Sequence, residues 1–151
     1  MTYKLDEKDW KILEILKEHA DYTTRQIAKK ILLPVTTVHH RIQKLKKEGI
    51  IQRYTVQLDP IKTDQSFVVY VLISASLPLL KQKNKTQYDL LKEIKKFPFV
   101  ERADIVSGGT DLVAVIRVKD VQEYDQILLG KLQLLEGIDK TQSLIVIHSS
   151  H

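Results

Sequence analysis

Apolar residues recur at helical spacing through roughly the first third of the chain, then at strand spacing in four later runs. Leu5-Asp6-Glu7-Lys8-Asp9-Trp10 reads as a helix start. Asp6 is placed to accept the unpaired N–H groups of the first turn, and Asp9, three residues on, completes a short capping box. Leu5 and Trp10 occupy the positions of a hydrophobic staple. Ile12, Leu13, Leu16 and Ala20 keep a helical period to about His19. A short second helix fits residues 23 or 24 to 30, capped by Thr23 or Thr24, with Ile27, Ala28 and Ile31 inward. Ile31-Leu32-Leu33 makes a corner. Pro34 opens a third helix, where its missing N–H is harmless, and Gly49 ends it after Glu48.

On that third helix, at about 100° per residue, Val38, Ile42 and Leu45 form the buried stripe. Thr36, His40, Gln43 and Lys47 lie opposite, flanked by Thr37 and Lys44. Three helices of this size around a tight corner predict a helix-turn-helix. Residues 50–58 (IIQRYTVQL) alternate and predict a wing or linker strand.

Beyond residue 66 the period changes. Residues 67–77 (FVVYVLISASL), 100–106, 111–118 (DLVAVIRV) and 140–148 (KTQSLIVIH) predict strands. Residues 86–97 predict a helix with Tyr88, Leu90, Leu91 and Ile94 inward and Pro98 as its stop. Residues 121–135 predict another, capped by Asp120 and released near Gly137. The order is βαββαβ, a ferredoxin-like arrangement. The fold class is therefore α+β. The expected domains are 1–50 as the helix-turn-helix part, 51–66 as wing or linker strand, and 67–151 as the ferredoxin-like, oligomerising part. The strands are apolar on both faces: Val69, Val71 and Ile73 alternate with Val68, Tyr70 and Leu72, and Leu144-Ile145-Val146-Ile147 repeats the pattern. Two helices cover one face of such a sheet, so a second subunit is expected on the other. A symmetric pair also offers two recognition helices to two half-sites of duplex DNA.

Charge sharpens this division. The net charge of +5 is carried entirely by residues 1–58, with 12 Lys+Arg against 7 Asp+Glu, while residues 59–151 balance at 12 and 12. Within 24–54, Arg25, Lys29, Lys30, Arg41, Lys44, Lys46, Lys47 and Arg53 face one acid, Glu48. Such asymmetry points to a polyanion partner for the N-terminal part. Lys29, Lys44, Lys47 and Arg53 are the expected phosphate contacts, and Thr36, Thr37, His40 and Gln43 the base readers.

The motifs Leu5-Asp6-x-x-Asp9, Ile12–Leu16, Thr37-Val38-x-x-Arg41-Ile42-x-x-Leu45, Glu48-Gly49-Ile50-Ile51 and Leu58-Asp59-Pro60 together resemble the leucine-responsive/asparagine-regulator (Lrp/AsnC, or feast/famine) family over nearly the whole chain. The Lys- and Ile-rich composition suits an archaeal member. The resemblance implies a winged helix-turn-helix joined to a ferredoxin-like effector domain, dimers assembled into octamers of four, and an amino acid bound between dimers. Its effector signature, a Gly-Asp-Tyr-Asp-like turn, stands here as Gly108-Gly109-Thr110-Asp111, matching at Gly108 and Asp111 only. Such a turn lets backbone N–H groups meet a carboxylate, with Asp111 as partner for an ammonium group. Thr141, Gln142 and Ser143 add neutral donors and acceptors suited to glutamine or asparagine. The family also favours Gly where Leu32 stands, so Leu32 either takes a positive φ or sits in a corner built differently.

Other chemistry finds little support. With no cysteine there is no disulfide scaffold, thiolate metal site or cysteine nucleophile. No phosphate-binding glycine loop, nucleophile elbow or H-E-x-x-H occurs. His39-His40 lacks metal-ligand spacing, and Asp104 with Asp111 lacks a companion acid or base. No catalytic residue, metal or cofactor is expected beyond a small-molecule effector. No apolar run is long enough to span a membrane and no secretory leader is visible, so a cytoplasmic location is expected. Two alternatives remain: an architectural DNA-binding protein without effector, and a haem-precursor decarboxylase of the same architecture. The latter has no need of an acid-free recognition face.

Overall fold

The computed structural model describes residues 2–149. The chain divides into two compact units, Met1–Gln57 and Leu58–His151. The first contains α1 (Glu7–Glu18), α2 (Thr24–Ile31) and α3 (Val35–Lys47). α1 begins with the capping box: the Asp6 carboxylate accepts the Asp9 N–H, and the Asp9 carboxylate accepts the Asp6 N–H. Thr23 and Gln26 form the same reciprocal pair at the start of α2. Ile12, Leu16, Ile27, Ala28, Val38, Ile42 and Leu45 make one core, drawn from all three helices. Leu5 packs against it, whereas Trp10 stays 54% exposed, so the expected staple does not bury the indole.

The corner between α2 and α3 turns on Leu32, at φ 55° and ψ 44°. This left-handed conformation brings the Leu32 Cβ close to the following carbonyl oxygen and is strained for leucine. The Leu32 side chain is 88% exposed, so no packing compensates. Leu32→Gly is expected to stabilise the unit by about 0.5–1 kcal/mol, read as a higher melting temperature. A lower melting temperature would show that the leucine makes a contact worth more than the strain. Gly49, at φ 72°, ends α3 in the conformation its lack of Cβ permits.

Residues 50–58 do not form the expected strand. They carry no regular secondary structure and pair with no strand among the described residues. Alternation can prepare a segment for a ladder, but a strand requires a second set of backbone donors and acceptors to pair with.

The second unit contains β1 (Phe67–Ala75), α4 (Leu77–Gln82), α5 (Gln87–Lys95), β2 (Val100–Ile105), β3 (Leu112–Val118), α6 (Val121–Ile127), a π-helical turn at Leu128–Leu132, and β4 (Ile138–Ile145). The sheet is antiparallel in the order β2-β3-β1-β4, the ferredoxin-like βαββαβ arrangement. Two details differ from the sequence pattern. β1 stops at Ala75 because Ser76 caps α4, with Pro78 in its first turn. The helix expected over 121–135 is α6 followed by the π turn.

Val69, Val71 and Ile73 of β1 and Leu112, Ala114, Ile116 and Val118 of β3 form a core with Leu90, Ile94, Tyr124, Ile127 and Leu132 from the helical segments. Tyr88, expected inward, is 70% exposed; Leu90 and Ile94 take the buried positions. The opposite sheet face follows from register. Tyr70 lies between Val115 and Leu144, and Leu72 between Val113 and Gln142. Tyr70 and Leu144 are each 44% exposed, forming an apolar patch on the face away from α5 and α6. No described helix is long and apolar enough to cross a membrane.

Candidate nucleic-acid interface and effector cleft

In the first unit, α3 presents its polar side outward because Val38, Ile42 and Leu45 hold the other side in the core. Thr36, His40, Gln43, Lys44 and Lys47 are exposed, and Thr37 is half-buried beside them. Lys29 is exposed in the last turn of α2, and Arg53 on the segment after α3. That segment is held near α3 by the Lys46 ammonium, 4.9 Å from the centre of the Tyr54 ring. The outward face of α3 bears hydroxyl, imidazole, amide and ammonium groups and no carboxylate. Such groups hydrogen-bond base edges and phosphates.

Arg41 behaves differently from the other bases. Its Nη1 donates to both Asp6 oxygens and to Asp9 Oδ1, each at 2.8 Å. Asp9 is fully buried; its Oδ2 also accepts from the Tyr3 hydroxyl at 2.8 Å and from the Asp6 N–H at 3.1 Å. The Asp9 N–H, then the Arg41 guanidinium, hold the Asp6 carboxyl below its usual range. Arg41 is correspondingly raised, first by Asp6 and then by Asp9. The hydrogen bond to Asp9, with burial, raises the Tyr3 phenol. The clamp fastens α3 to the start of α1 and withdraws one cation from the outward field. Its parts are visible in the sequence as a capping box and an arginine 35 residues away, but nothing in the one-dimensional pattern pairs them.

In the second unit, the β2–β3 turn meets β1 and β4. Asp111 joins these elements: its Oδ2 accepts the Ala75 N–H at 2.8 Å, its N–H donates to the Ile73 carbonyl at 3.0 Å, and its carbonyl accepts the Val106 N–H at 2.9 Å. The Thr110 hydroxyl donates to the Ile73 carbonyl at 2.9 Å. Gly108 turns the chain at φ 136°. An open cleft of about 530 Å³ results, walled by Leu72, Ser74, Gly109, Thr110, Lys140, Thr141 and Gln142.

Gly109, Thr110, Thr141 and Gln142 thus meet around one space. Gly108, Asp111 and Ser143 are not among its walls. The Asp111 carboxylate, expected to face an ammonium group, instead accepts a backbone bond. Ser143 contacts the Tyr124 hydroxyl, and the Thr141 hydroxyl accepts from Gln133 Nε2 at 2.8 Å. Burial raises the Tyr124 phenol against the opposing hydrogen bond from Ser143. The pleat sets Ser143 on the face of β4 opposite Gln142, where it meets Tyr124. Applied to β4, the same rule groups Lys140 with Gln142. That signal was available for Lys140, which the sequence pattern left unassigned; Leu72 and Ser74 needed the β1–β4 register.

A helix-turn-helix with a carboxylate-free outward face, in one chain with a ferredoxin-like unit bearing a cleft, defines a DNA-binding protein with a ligand-binding domain. Residues 5–52 match the winged helix-turn-helix DNA-binding family, and residues 70–150 the Lrp/AsnC ligand binding domain. The chain belongs to the Lrp/AsnC family of transcriptional regulators, which are not enzymes. An HTH-type transcriptional regulator of Pyrococcus horikoshii is 32% identical over 143 residues, covering 95% of this chain and 86% of that protein. The regulator LrpA of the same organism is 29% identical over 95% of this chain and 96% of its own. The structure of an AsnC family transcriptional regulator from Agrobacterium tumefaciens superposes with a TM-score of 0.83 at 28% identity, over 96% of this chain and 92% of that one. A transcriptional regulator from Neisseria meningitidis, solved with L-Met, shares the fold at a TM-score of 0.88 and 22% identity, over 98% and 94% of the two chains.

Proposed function

We propose that this regulator binds duplex DNA as a dimer, and as an octamer of four dimers, and that an amino acid in the cleft changes its assembly or DNA affinity in the cytoplasm. The observation that carries the DNA-binding assignment is the outward face of α3, polar or cationic throughout and free of acids. Thr36, Thr37, His40 and Gln43 read bases; Lys29, Lys44, Lys47 and Arg53 hold phosphates. Residues 1–50 form the reader, 51–66 the connection, and 67–151 the effector and assembly part. The apolar patch of exposed Tyr70 and Leu144 with half-buried Leu72, Val113 and Val115 supports a subunit seated against the sheet, since contiguous exposed apolar surface is unfavourable in water.

In the cleft, the Lys140 ammonium and the backbone at Gly109 and Thr110 suit a carboxylate. Ser74, Thr141 and Gln142 suit an amide side chain, which favours glutamine or asparagine. The Neisseria meningitidis complex with L-Met supports an amino acid as the effector class. Gly108 and Asp111 shape the turn that places these groups, while Ser143 braces β4 against Tyr124.

The two roles on α3 separate experimentally. His40→Ala is expected to lose about 1–3 kcal/mol of discrimination at one base-pair position. Lys47→Ala is expected to weaken all duplexes alike and reduce the slope of log affinity against log salt by about one. Equal losses on every sequence for both variants would overturn the role assignment. Footprinting with and without amino acids, paired with equilibrium dialysis, tests the regulatory part. Discrete protected sites that shift with one bound amino acid are expected; uniform coating of DNA, or no saturable binding of any amino acid, would overturn it.

A further inference from the structure

The arm before α1 lies against the stripe of α3 that carries Thr37, Arg41 and Lys44. These residues are three or four apart and therefore stack on one side of the helix. The Lys44 ammonium sits 4.5 Å from the centre of the Tyr3 ring. The Tyr3 hydroxyl is anchored on the buried carboxylate of Asp9 at 2.8 Å. The ring is thus fixed at its far end by a charge-assisted hydrogen bond, with its face toward a cation. Tyr3, Lys4, Thr37, His40 and Lys44 border one open recess of about 550 Å³, floored by the Asp6–Arg41 pair. Two carboxylates lie here, and alone they would repel a phosphate. Arg41 meets both, leaving Lys4 and Lys44 as the cations of the recess, and neither has an acidic partner within 4.0 Å among the described residues.

We propose that this arm belongs to the DNA-binding face: Tyr3 is a positioning residue that holds the Lys44 ammonium for a backbone phosphate, and Lys4 supplies a further phosphate contact. The inference rests on the assignment of Lys44 as a phosphate contact. A free lysine loses rotamer freedom when it grips a phosphate, and a lysine already held over an aromatic face has lost part of it before DNA arrives. The ring lowers that loss without consuming the charge, because ammonium–ring attraction leaves the N–H groups on the outer side free to donate. The sequence pattern gives Tyr3 no role; the hydrogen bond to Asp9 is what holds its ring beside α3.

The test uses the full chain and a fluorescein-labelled, mixed-sequence duplex titrated at several KCl concentrations. Lys44→Ala and Lys4→Ala are each expected to reduce the salt slope by about one. Tyr3→Ala is expected to weaken binding about two- to fivefold with the slope unchanged, because the charge remains but is no longer held. Tyr3→Phe, which keeps the ring, stays within twofold of the parent. The double variant Tyr3→Ala/Lys44→Ala binds no more weakly than Lys44→Ala, since one effect acts through the other. Thermal melts accompany each titration, and Tyr3→Leu replaces Tyr3→Ala if the latter unfolds. Losses that multiply in the double variant, or a Tyr3→Phe loss equal to that of Tyr3→Ala, overturn the positioning role. An unchanged slope in Lys4→Ala overturns the arm's own contact. If the parent binds but Lys44→Ala keeps its slope, the underlying assignment of Lys44 falls and the inference with it.

Discussion

Arg41→Ala is expected to destabilise the N-terminal unit by about 2–4 kcal/mol, because it strands the fully buried Asp9 carboxylate without its cation. The Tyr3 hydroxyl and the Asp6 N–H still reach Asp9, but hydrogen bonds alone compensate a buried charge incompletely. A unit of this size has a few kcal/mol in total, so a large fraction of it would be unfolded at growth temperature and DNA binding would fall in proportion. Circular dichroism melts of the full chain measure the loss. Adding Asp9→Asn removes the stranded charge while leaving an acceptor for the same donors, and is expected to restore most of the melting temperature. A melt of Arg41→Ala that superposes on the parent would show that the clamp contributes nothing.

The clamp also sets an acid limit. The folded-state carboxyl of Asp6 ionises below its usual value, first through the Asp9 N–H and then through Arg41. Stability from this group is therefore present above the unfolded value of about 3.9 and is lost as the pH falls through the lower folded value. The acid-side loss is expected to flatten in Arg41→Ala, where part of that depression is gone.

Tyr70→Glu is expected to leave the protein monomeric at micromolar concentration. Tyr70 lies at the middle of the exposed apolar sheet face, between Val115 and Leu144. Its side chain is 44% exposed, so a glutamate there reaches water in the isolated chain and the fold survives. In the proposed dimer the same carboxylate would be buried against an apolar sheet. A penalty of about 2–4 kcal/mol corresponds to a roughly thirty- to thousandfold weaker association. Sedimentation equilibrium reads this as a shift toward the 17.5 kDa monomer. Affinity for duplex DNA is expected to fall as well, since two tethered readers bind as one body and separate readers do not. Leu144→Glu, on the neighbouring strand, is expected to act alike. If both variants keep the parent's sedimentation profile, the subunit contact lies elsewhere.

Much of this architecture is legible in short-range pattern. The helical period of Ile12–Leu16, the Thr23 cap, Pro34 before α3 and Gly49 after it place the first three helices within about a residue, because each signal acts over one turn. The alternation around Val69, Val71 and Ile73 places β1 and its two faces for the same reason. Tyr88 shows where pattern stops: an aromatic at helical spacing looks inward, but Leu90 and Ile94 already fill the space over the sheet. Residues 50–58 show it again, because alternation cannot supply a pairing partner.

Local chemistry was enough to specify two units of α+β type, their helix caps, and the polar side of α3, since each depends on residues within a few positions of one another. Arg41 on Asp6 and Asp9, Tyr3 beneath Lys44, and Lys140 beside Gly109 depended on the folded chain. Each joins residues separated by some thirty or more positions. Their pairing is set by which faces the two cores turn outward and by strand register, quantities that exist only after the core residues have packed.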